Sequence, residues 1–268
     1  MTSTSISPQP SKPETIAVVA HGRIDVRPAV ERVHRVAAET GVAVLDEPAE
    51  ADLTVAVGGD GTILRTLARL LGTGVPVIGV NFGRVGFLAS IAPEALERDL
   101  ARVFAAEYRV VELPTLDVKL DGQPLTAVND VVTTSGILGR MVELTYTVGG
   151  EDLGTIPCDG MICSTPSGST AYNLSNGGPV LVRGVDAMAI TFIAPHSLHA
   201  RPLVVPRGSP LTVRNATPDV AVCVLIDGHQ IGNMGPGDEI TIALGDQHSL
   251  LATLPETTFF SRYRETFA

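Results

Sequence analysis

The chain has 268 residues, 44% of them apolar, and a formal net charge of −10, which is enough apolar material for one large domain or two modest ones. The acidic balance excludes a general nucleic-acid binder, which needs a basic face to meet phosphates, although backbone N–H groups can still hold a nucleotide's phosphates on an acidic protein. Aromatics are 4% and Trp is absent, so the core must be built from Val, Leu, Ile and Ala.

The first 14 residues, rich in Ser, Thr and Pro, are expected to be a disordered tail. Ile16–Ala20 is a short apolar, strand-like run. Pro28–Thr40 carries Ala29, Val30, Val33, Val36 and Ala37 at helical spacing, and Gly41 stops it. Val42–Leu45 and Leu53–Val57 are further strands, and Thr62–Leu71 is a helix with Ile63, Leu64, Leu67 and Leu71 on its apolar face. Val75–Val80 reads as a buried strand. Pro93–Glu107 reads as a helix, with Pro in its first turn and Leu96, Leu100, Val103 and Phe104 on one face. Strands alternating with helices imply a parallel sheet covered by helices, so residues 15–108 are expected to form an α/β domain.

From Tyr108 to Leu244 the texture changes to short β-rich runs separated by Gly, Pro, Asn and Asp. Examples are Leu116–Leu120, Val142–Val148, Ala189–Ile193, Leu211–Arg214, Val220–Ile226 and Glu239–Leu244. Asp121-Gly122 and Gly149-Gly150 are hairpin signals. Residues 109–249 are therefore expected to be an all-β, largely antiparallel domain. Phe259–Phe267 is charged and amphipathic, a helix or arm. Cys158, Cys163 and Cys223 include no C-x-x-C pair, which fits a reducing, cytoplasmic setting without a disulfide framework. The N-terminus lacks the basic and apolar regions of a signal peptide. No uncharged apolar run reaches the roughly 18 residues of a membrane span, so no membrane association is expected.

Four segments carry chemistry. Gly58-Gly59-Asp60-Gly61-Thr62 lies where a strand ends and a helix begins, the place where open α/β sheets bind ligands. Its glycines let backbone approach a phosphate chain, and the helix N-terminus offers N–H donors. Asp60 is placed to accept a proton from an attacking hydroxyl; the alternative is a tight turn with Asp60 as helix cap. No G-x-x-x-x-G-K-[ST] or G-x-G-x-x-G string exists, and neither Lys12 nor Lys119 lies near a glycine-rich turn. Any phosphoryl transfer must therefore use a loop other than a P-loop.

The second segment, Asn81-Phe82-Gly83-Arg84-Val85-Gly86-Phe87-Leu88, follows the strand Val75–Val80; its alternative is an ordinary crossover turn. The third is Asn129-Asp130, two strand-disfavoured residues between apolar runs. They suit the edge of a base or the hydroxyls of a ribose, or else a bulge. The fourth runs from Asp159-Gly160 through Ser164-Thr165-Pro166-Ser167-Gly168-Ser169-Thr170-Ala171-Tyr172-Asn173-Leu174-Ser175 to Gly177-Gly178-Pro179. Small hydroxyl residues around Gly168, with one aromatic ring, suit a pocket for a flat base. His196 and His199 lie in no helix with an acidic neighbour, and structural roles are expected of both.

Taken in order, these segments, with Pro195-His196-Ser197-Leu198 and Arg201-Pro202-Leu203-Val204, resemble the NAD kinase family over roughly Ile16–Phe267. The resemblance implies an N-terminal α/β domain with a Rossmann-like open sheet and an all-β C-terminal sandwich domain, residues 250–268 returning to the first. It implies transfer of a phosphoryl group to the 2′-hydroxyl of the adenosine ribose of NAD, giving NADP, with ATP, another nucleoside triphosphate or polyphosphate as donor. Mg²⁺, or another divalent metal, would arrive with the donor's phosphates, because the sequence shows no dedicated carboxylate cluster.

The resemblance makes Asp60 the proton acceptor and Gly58, Gly59, Gly61 and Thr62 the phosphate loop. Gly61 would lie against the nucleotide, with Arg65 a further contact. Asn129 and Asp130 would hydrogen-bond NAD, and Thr170, Ala171, Tyr172, Asn173, Leu174 and Ser175 would line the base pocket. Asp159 would reach NAD across a subunit interface, which implies a homodimer or homotetramer. Arg140 stands where relatives carry a basic or polar group, and Pro157 where some have Arg, so a phosphate contact there is lost or moved. His229, with Gln230 as its rival, would stand near the substrate. Lipid kinases and phosphofructokinase-like enzymes also carry Gly-Gly-Asp-Gly; the Asn-Asp pair and the Ser-Thr-Ala-Tyr string separate this chain from them. A catalytically silent NADP(H)-binding sensor on the same fold is the rival of another class, and an intact Asp60 speaks against it.

Overall fold

A computed structural model describes residues 10–22, 25–83, 86–120 and 122–267. Residues 1–9 of the expected tail, Arg84 and Val85 of the second glycine-rich loop, and Asp121 of the first hairpin signal lie outside the described residues. The chain divides into two compact units, one running up to Leu113 and resuming at His248, the other Pro114–Gln247.

The first unit is built on a parallel sheet. Its strands are β1 (Thr15–Ala20), β2 (Ala43–Leu45), β3 (Leu53–Gly58) and β4 (Val77–Asn81), joined by the closing residues of the last strand, Glu239–Thr253. The order is β2-β1-β3-β4-last strand, and every neighbouring pair is parallel. All six residues of β3 are buried, as a strand covered on both faces requires. Leu53, Val55 and Val57 share a core with Val33 and Val36 of α1 (Arg27–Thr40) and with Leu96 and Leu100 of α3 (Leu96–Phe104). Side chains alternate along a strand, so the next residues meet the opposite face. There Gly79 of β4 lies against Ile63 of α2 (Asp60–Arg69). A Cβ on Gly79 would stand 2.9 Å from Ile63 Cγ1 and 3.1 Å from Ala89 Cα. Helix α2 and the segment after the second glycine-rich loop thus approach β4 as closely as they do because residue 79 has no side chain.

Three expectations are corrected in this unit. Helix α2 begins at Asp60, with Gly59 as its N-cap, two residues earlier than the apolar periodicity suggests. Helix α3 is shorter than Pro93–Glu107: Pro93–Ala95 is a 3-10 turn and the α-helix ends at Phe104. Ala106 then takes a left-handed φ of 68°, which stops the helix without glycine. The tail is held before residue 15: Ser11 O accepts from Tyr108 Oη at 3.0 Å and Glu14 N donates to Asp52 Oδ2 at 2.9 Å.

The second unit is a sandwich of antiparallel strands. Strand β5 (Arg109–Leu120) enters it and turns back as β6 (Gln123–Ala127). Strands β7 (Asp130–Ser135), β8 (Val142–Val148), β9 (Glu151–Cys158), β10 (Gly160–Ser164), β11 (Ala187–Ile193), β12 (Leu203–Pro206), β13 (Leu211–Asn215), β14 (Val222–Ile226) and β15 (His229–Met234) follow, with a one-turn helix α4 (Tyr172–Ser175) between β10 and β11. One sheet runs β12-β11-β10-β7-β14-β15; the other pairs the start of β16 (Glu239–Thr253) with β13, then β8 and β9. Their inner faces close one core, where Leu144, Leu211 and Ile240 meet Met161, Ile190 and Val224, and Tyr146 packs edge-on to Phe192 at 5.5 Å. Gly149 (φ 59°) and Gly150 (φ 88°) form the two-residue turn between β8 and β9, the left-handed pair that a tight hairpin demands.

Strand β16 runs nine residues past the expected Leu244. A Cβ on Gly245 would stand 2.7 Å from Thr115 Oγ1 and Asp117 Oδ1. The glycine marks a close side-chain approach within a continuing strand, and that strand carries the chain back to the first unit.

The Gly79 contact gives a prediction. Gly79→Ala should overpack the junction of α2, β4 and Ala89 and cost about 1–3 kcal/mol, read by calorimetry as a Tm lowered by roughly 2–10 °C. A Tm within about 1 °C of wild type would contradict this packing.

Candidate active site

The first glycine-rich loop is shaped by the transition from β3 to α2. Gly58 ends the strand with no room for a side chain: a Cβ there would stand 2.5 Å from Thr62 Oγ1 and 2.8 Å from Thr62 Cβ. Gly59 is extended, and its carbonyl accepts from Thr62 N at 2.9 Å to open the helix. Thr62 is buried, Gly61 is exposed, and exposed Arg65 reaches Thr62 Oγ1 with Nη2 at 3.4 Å. Asp60 is therefore a first-turn residue. Its carboxylate accepts from Phe87 N at 2.7 Å and from Leu88 N at 3.3 Å, not from its own helix, which removes the helix-cap alternative.

The two glycine-rich loops, far apart in sequence, thus form one structure. Phe82 N donates to Gly58 O at 2.9 Å, and a Cβ on Gly83 would stand 3.2 Å from Gly59 Cα. Gly86 lies so close to the Asp60 carboxylate that any Cβ would occupy its place. Charge-assisted hydrogen bonds contribute about 1.5–3 kcal/mol each, so the two amides fix the rotamer of Asp60. A half-buried carboxylate with a defined direction, beside a helix N-terminus, can accept a proton from a hydroxyl near a phosphate chain.

In the second unit, Asn129 lies in the bend before β7 and Asp130 is its first residue. Their backbone amides, with that of Val128, converge on Asp227: Val128 N and Asn129 N donate at 2.9 and 2.7 Å, and Asp130 N at 3.2 Å. Asp227 (φ 47°) and Gly228 (φ 80°) make the left-handed two-residue turn between β14 and β15. Asp130 is only 6% exposed, and its carboxylate has no hydrogen-bond donor among the described residues. Burial pushes its pKa up to about 7, and the neighbouring Asp227 charge adds to the rise. Burial also raises Asp227, but its three amide donors oppose that. Asp130, with no such donors among the described residues, is the member whose pKa is driven up to the edge of neutrality.

The Ser/Thr/Gly turn sits directly on this element. Thr165 N donates to Asn129 O at 2.9 Å, and Thr165 Oγ1 to Val128 O at 2.8 Å. A Cβ on Gly168 would stand 2.8 Å from Asn129 Cα, so only glycine allows the approach. Asn129 Oδ1, Ser164 Oγ and Ser167 Oγ are buried without a partner among the described residues. Buried polar atoms are ordinarily paired, so this wall is equipped to bind a polar ligand. Thr170 closes a 3-10 turn, Ala171 and Leu174 are half-buried, and Tyr172 and Ser175 are exposed around the one-turn helix α4.

The Asn173 side chain is fully buried, with Nδ2 donating to Ser169 O and Pro179 O at 2.9 and 3.0 Å and Oδ1 accepting from Thr191 Oγ1 at 2.6 Å. These three bonds tie the one-turn helix α4 to β11 and to the Gly177-Gly178-Pro179 segment.

Arg140 is on the surface, paired with Asp219 at 2.8 Å. Asp159 is an exposed carboxylate between β9 and β10, and its carbonyl accepts from Ser135 N and Thr134 Oγ1. Exposed His229 uses Nδ1 toward Asp227 O at 3.1 Å. Gln230 is tied to Asn233 Oδ1 at 3.0 Å, so His229 is the freer of the two. Pro157 is part of β9, and its carbonyl accepts from His196 N at 2.8 Å, a structural role for that histidine's backbone.

Sequence reasoning missed Asp227 as a support of the site, although Asp-Gly between apolar runs signals a left-handed turn. It also missed the Phe87 and Leu88 amides, which have no side-chain signature.

The raised pKa of Asp130 generates a prediction. A folded-state pKa raised above the usual carboxylate value means that its stabilising contribution is full below about pH 4 and is lost as pH rises through about 7. Tm should fall between pH 5 and 7.5, and Asp130→Asn, which stays neutral, should flatten that fall and raise Tm at pH 7.5. Identical Tm–pH profiles for the two proteins would refute the assignment.

The model of the ATP-NAD kinase N-terminal domain matches residues 8–108, and that of the ATP-NAD kinase C-terminal domain matches residues 128–254. An NAD kinase from Heliobacterium modesticaldum is 40% identical over 225 residues, covering 82% of this chain and 80% of that relative. An NAD kinase from Thermomicrobium roseum is 36% identical over 261 residues, covering 93% and 89%. Among solved structures, an NAD kinase from Archaeoglobus fulgidus in complex with ATP superposes with a TM-score of 0.79 at 28% identity, covering 93% of this chain and 98% of that one. The fold is also that of yeast NADH kinase complexed with NADH, with a TM-score of 0.84 at 22% identity over 97% and 91% of the two chains. With both domain models matched in order and such relatives along most of its length, the chain belongs to the NAD kinase family.

Proposed function

We propose that the protein phosphorylates NAD on the 2′-hydroxyl of its adenosine ribose, giving NADP, with ATP as donor; another nucleoside triphosphate or polyphosphate would serve the same chemistry. The observation that carries this reading beyond family membership is the Asp60 carboxylate, gripped by two backbone amides where a parallel strand passes into a helix. In the proposed step the 2′ oxygen attacks the terminal phosphorus of the donor, its proton passes to an Asp60 carboxylate oxygen, and the bond to the leaving nucleoside diphosphate breaks. Proton acceptance contributes about 10²–10⁴-fold, and most of the remaining acceleration is positioning and charge neutralisation.

Gly58, Gly59, Gly61 and Thr62 form the proposed phosphate loop, and exposed Arg65 is a further contact. Asn129 and Asp130, with the Ser164 and Ser167 hydroxyls beside them that have no partner among the described residues, are proposed to hydrogen-bond the dinucleotide, and Thr170, Ala171, Tyr172, Asn173, Leu174 and Ser175 to line the pocket for a base. His229 is the preferred substrate-near residue over Gln230. Among the described residues no three His, Cys, Asp or Glu side chains are grouped to hold a metal ion. In this reading Mg²⁺ is part of the donor, bound to its phosphates, and neutralises their charge. Asp159, an exposed carboxylate, is proposed to serve a neighbouring subunit in a homodimer or homotetramer, and exposed apolar side chains such as Leu138 and Leu198 suit such an assembly. Among the described residues no helix is long and apolar enough to cross a membrane.

Incubation with NAD, ATP and Mg²⁺ should yield a product that an NADP-specific dehydrogenase accepts, with its new phosphate on the 2′ position by ³¹P NMR. Phosphate on a lipid or a sugar, with none on NAD, would overturn the reading. Asp60→Asn keeps one oxygen for the Phe87 amide but is no base, so turnover should fall by about 10²-fold or more while NAD affinity and Tm change little. Sedimentation at assay concentration should show a dimer or tetramer; a fully active 28.0 kDa monomer would remove the intersubunit role of Asp159.

A further inference from the structure

The Phe87 and Leu88 amides that hold Asp60 belong to the segment 86–91. Its far end is fixed to the sheet, where Asn81 N donates to Ile91 O at 2.9 Å and Ser90 N and Ile91 N donate to Gly79 O at 3.0 Å. Its near end is Gly86, the residue least able to hold a conformation. What lies on the segment is the C-terminal helix α5 (Phe259–Phe267).

The contacts are specific. The Phe87 ring sits between Phe259 and Phe267, with centroids at 5.7 and 5.9 Å, and Tyr263 joins Phe267 at 4.9 Å. Arg262 donates from Nη2 to Ala89 O at 2.6 Å and from Nη1 to Glu265 Oε2 at 2.8 Å. The Arg262 side chain is 17% exposed, and its Nε is buried without an acceptor among the described residues. Burying a guanidinium with an unused donor is unfavourable, and the Ala89 and Glu265 contacts offset that cost. The arginine is aimed at one carbonyl, two residues beyond Phe87 and one beyond Leu88.

Helix α5 is itself anchored. Thr258 and Ser261 cap each other's amides at 3.0 and 3.1 Å. Glu256, just before the helix, is paired with Arg102 of α3 at 2.6 Å, and Leu251 and Ala252 of β16 pair with β4. The helix therefore links the sheet to the loop.

We infer that α5 is a latch for the proton acceptor: Arg262, with the Phe259–Phe87–Phe267 stack, sets the position of the Phe87 and Leu88 amides and through them the direction of the Asp60 carboxylate. Arg262 and Phe267 are positioning residues, acting through the segment 86–91 without touching substrate. The inference rests on the reading of Asp60 as proton acceptor. Its structural half, the hold of α5 on two amides, is measurable without turnover.

The experiment compares the full chain, wild type, with Arg262→Ala and Phe267→Ala. Phe267 is 46% exposed at the end of its helix, so its removal leaves the core in place should the arginine variant fail to fold. Hydrogen exchange by mass spectrometry follows peptides over 86–91 and, as a control, over β3, while NADP formation gives kcat and KM. Loss of protection at 86–91 with β3 unchanged is expected in both variants. Turnover should fall at least about tenfold in Arg262→Ala, within the roughly 10²-fold that a 1 Å misplacement of a catalytic group can cost, with KM for NAD within about twofold of wild type. Protection at 86–91 equal to wild type, or kcat within about twofold of wild type despite lost protection, overturns the latch. Protection lost equally at β3 overturns it too, since the helix would then be merely structural. A wild-type chain that makes no NADP while 86–91 still loosens in the variants would sink the functional reading and leave the hold of α5 on the loop standing.

Discussion

The candidate site depends on a carboxylate held by backbone. Asp60 is gripped by the amides of Phe87 and Leu88, residues 27 and 28 positions away, and both glycine-rich loops serve that contact. Gly86 must lack a side chain because the carboxylate fills its place. Gly83 must lack one because it lies on Gly59. Parallel pairing of β3 with β4, Gly58 opposite Asn81, brings the two strand ends side by side, so both loops emerge at one edge. Amides are suitable holders because they are neutral, rigid and fixed by the chain, so the direction of the Asp60 carboxylate is set by main chain.

The second unit uses the same device for a different end. Asp227 takes three consecutive amides, and its bonding capacity is thereby spent on the shape of residues 128–130. What is left to act is Asp130, buried, without a donor among the described residues and with its pKa raised to about 7 by burial. One carboxylate is consumed as scaffold so that its neighbour is presented in a defined place. The Ser/Thr/Gly turn completes the arrangement by resting on the Asn129 carbonyl, which Gly168 alone can approach so closely.

Asn173 stands in the middle of the string that resembles a base pocket, and its amide makes three hydrogen bonds within the fold. A buried amide left unpaired costs about 1–3 kcal/mol, and three partners at hydrogen-bond distance make it a structural pin. Its sequence neighbours Tyr172 and Ser175 are exposed on the same short helix.

The alternation of strands and helices up to Phe104, the turn to β texture after Tyr108 and the Gly149-Gly150 hairpin were legible in the sequence, which left the last stretch as a helix or an arm. These follow from periodicity and from residues with restricted backbone preferences, both local properties. It also marked Asp60, Asn129-Asp130 and the Gly168 turn, because glycine and small polar residues crowd where backbone must come close to something. The tertiary structure decided what that something is. The start of α2 at Asp60, the run of β16 through Gly245-Asp246, the Asp227 hold on three amides and the α5 contacts with Phe87 and Ala89 all join residues distant in the chain. They act largely through main-chain N–H and C=O groups, which every residue but proline carries in the same form. A backbone amide leaves no mark in the sequence; only the fold shows which of them is turned toward a carboxylate.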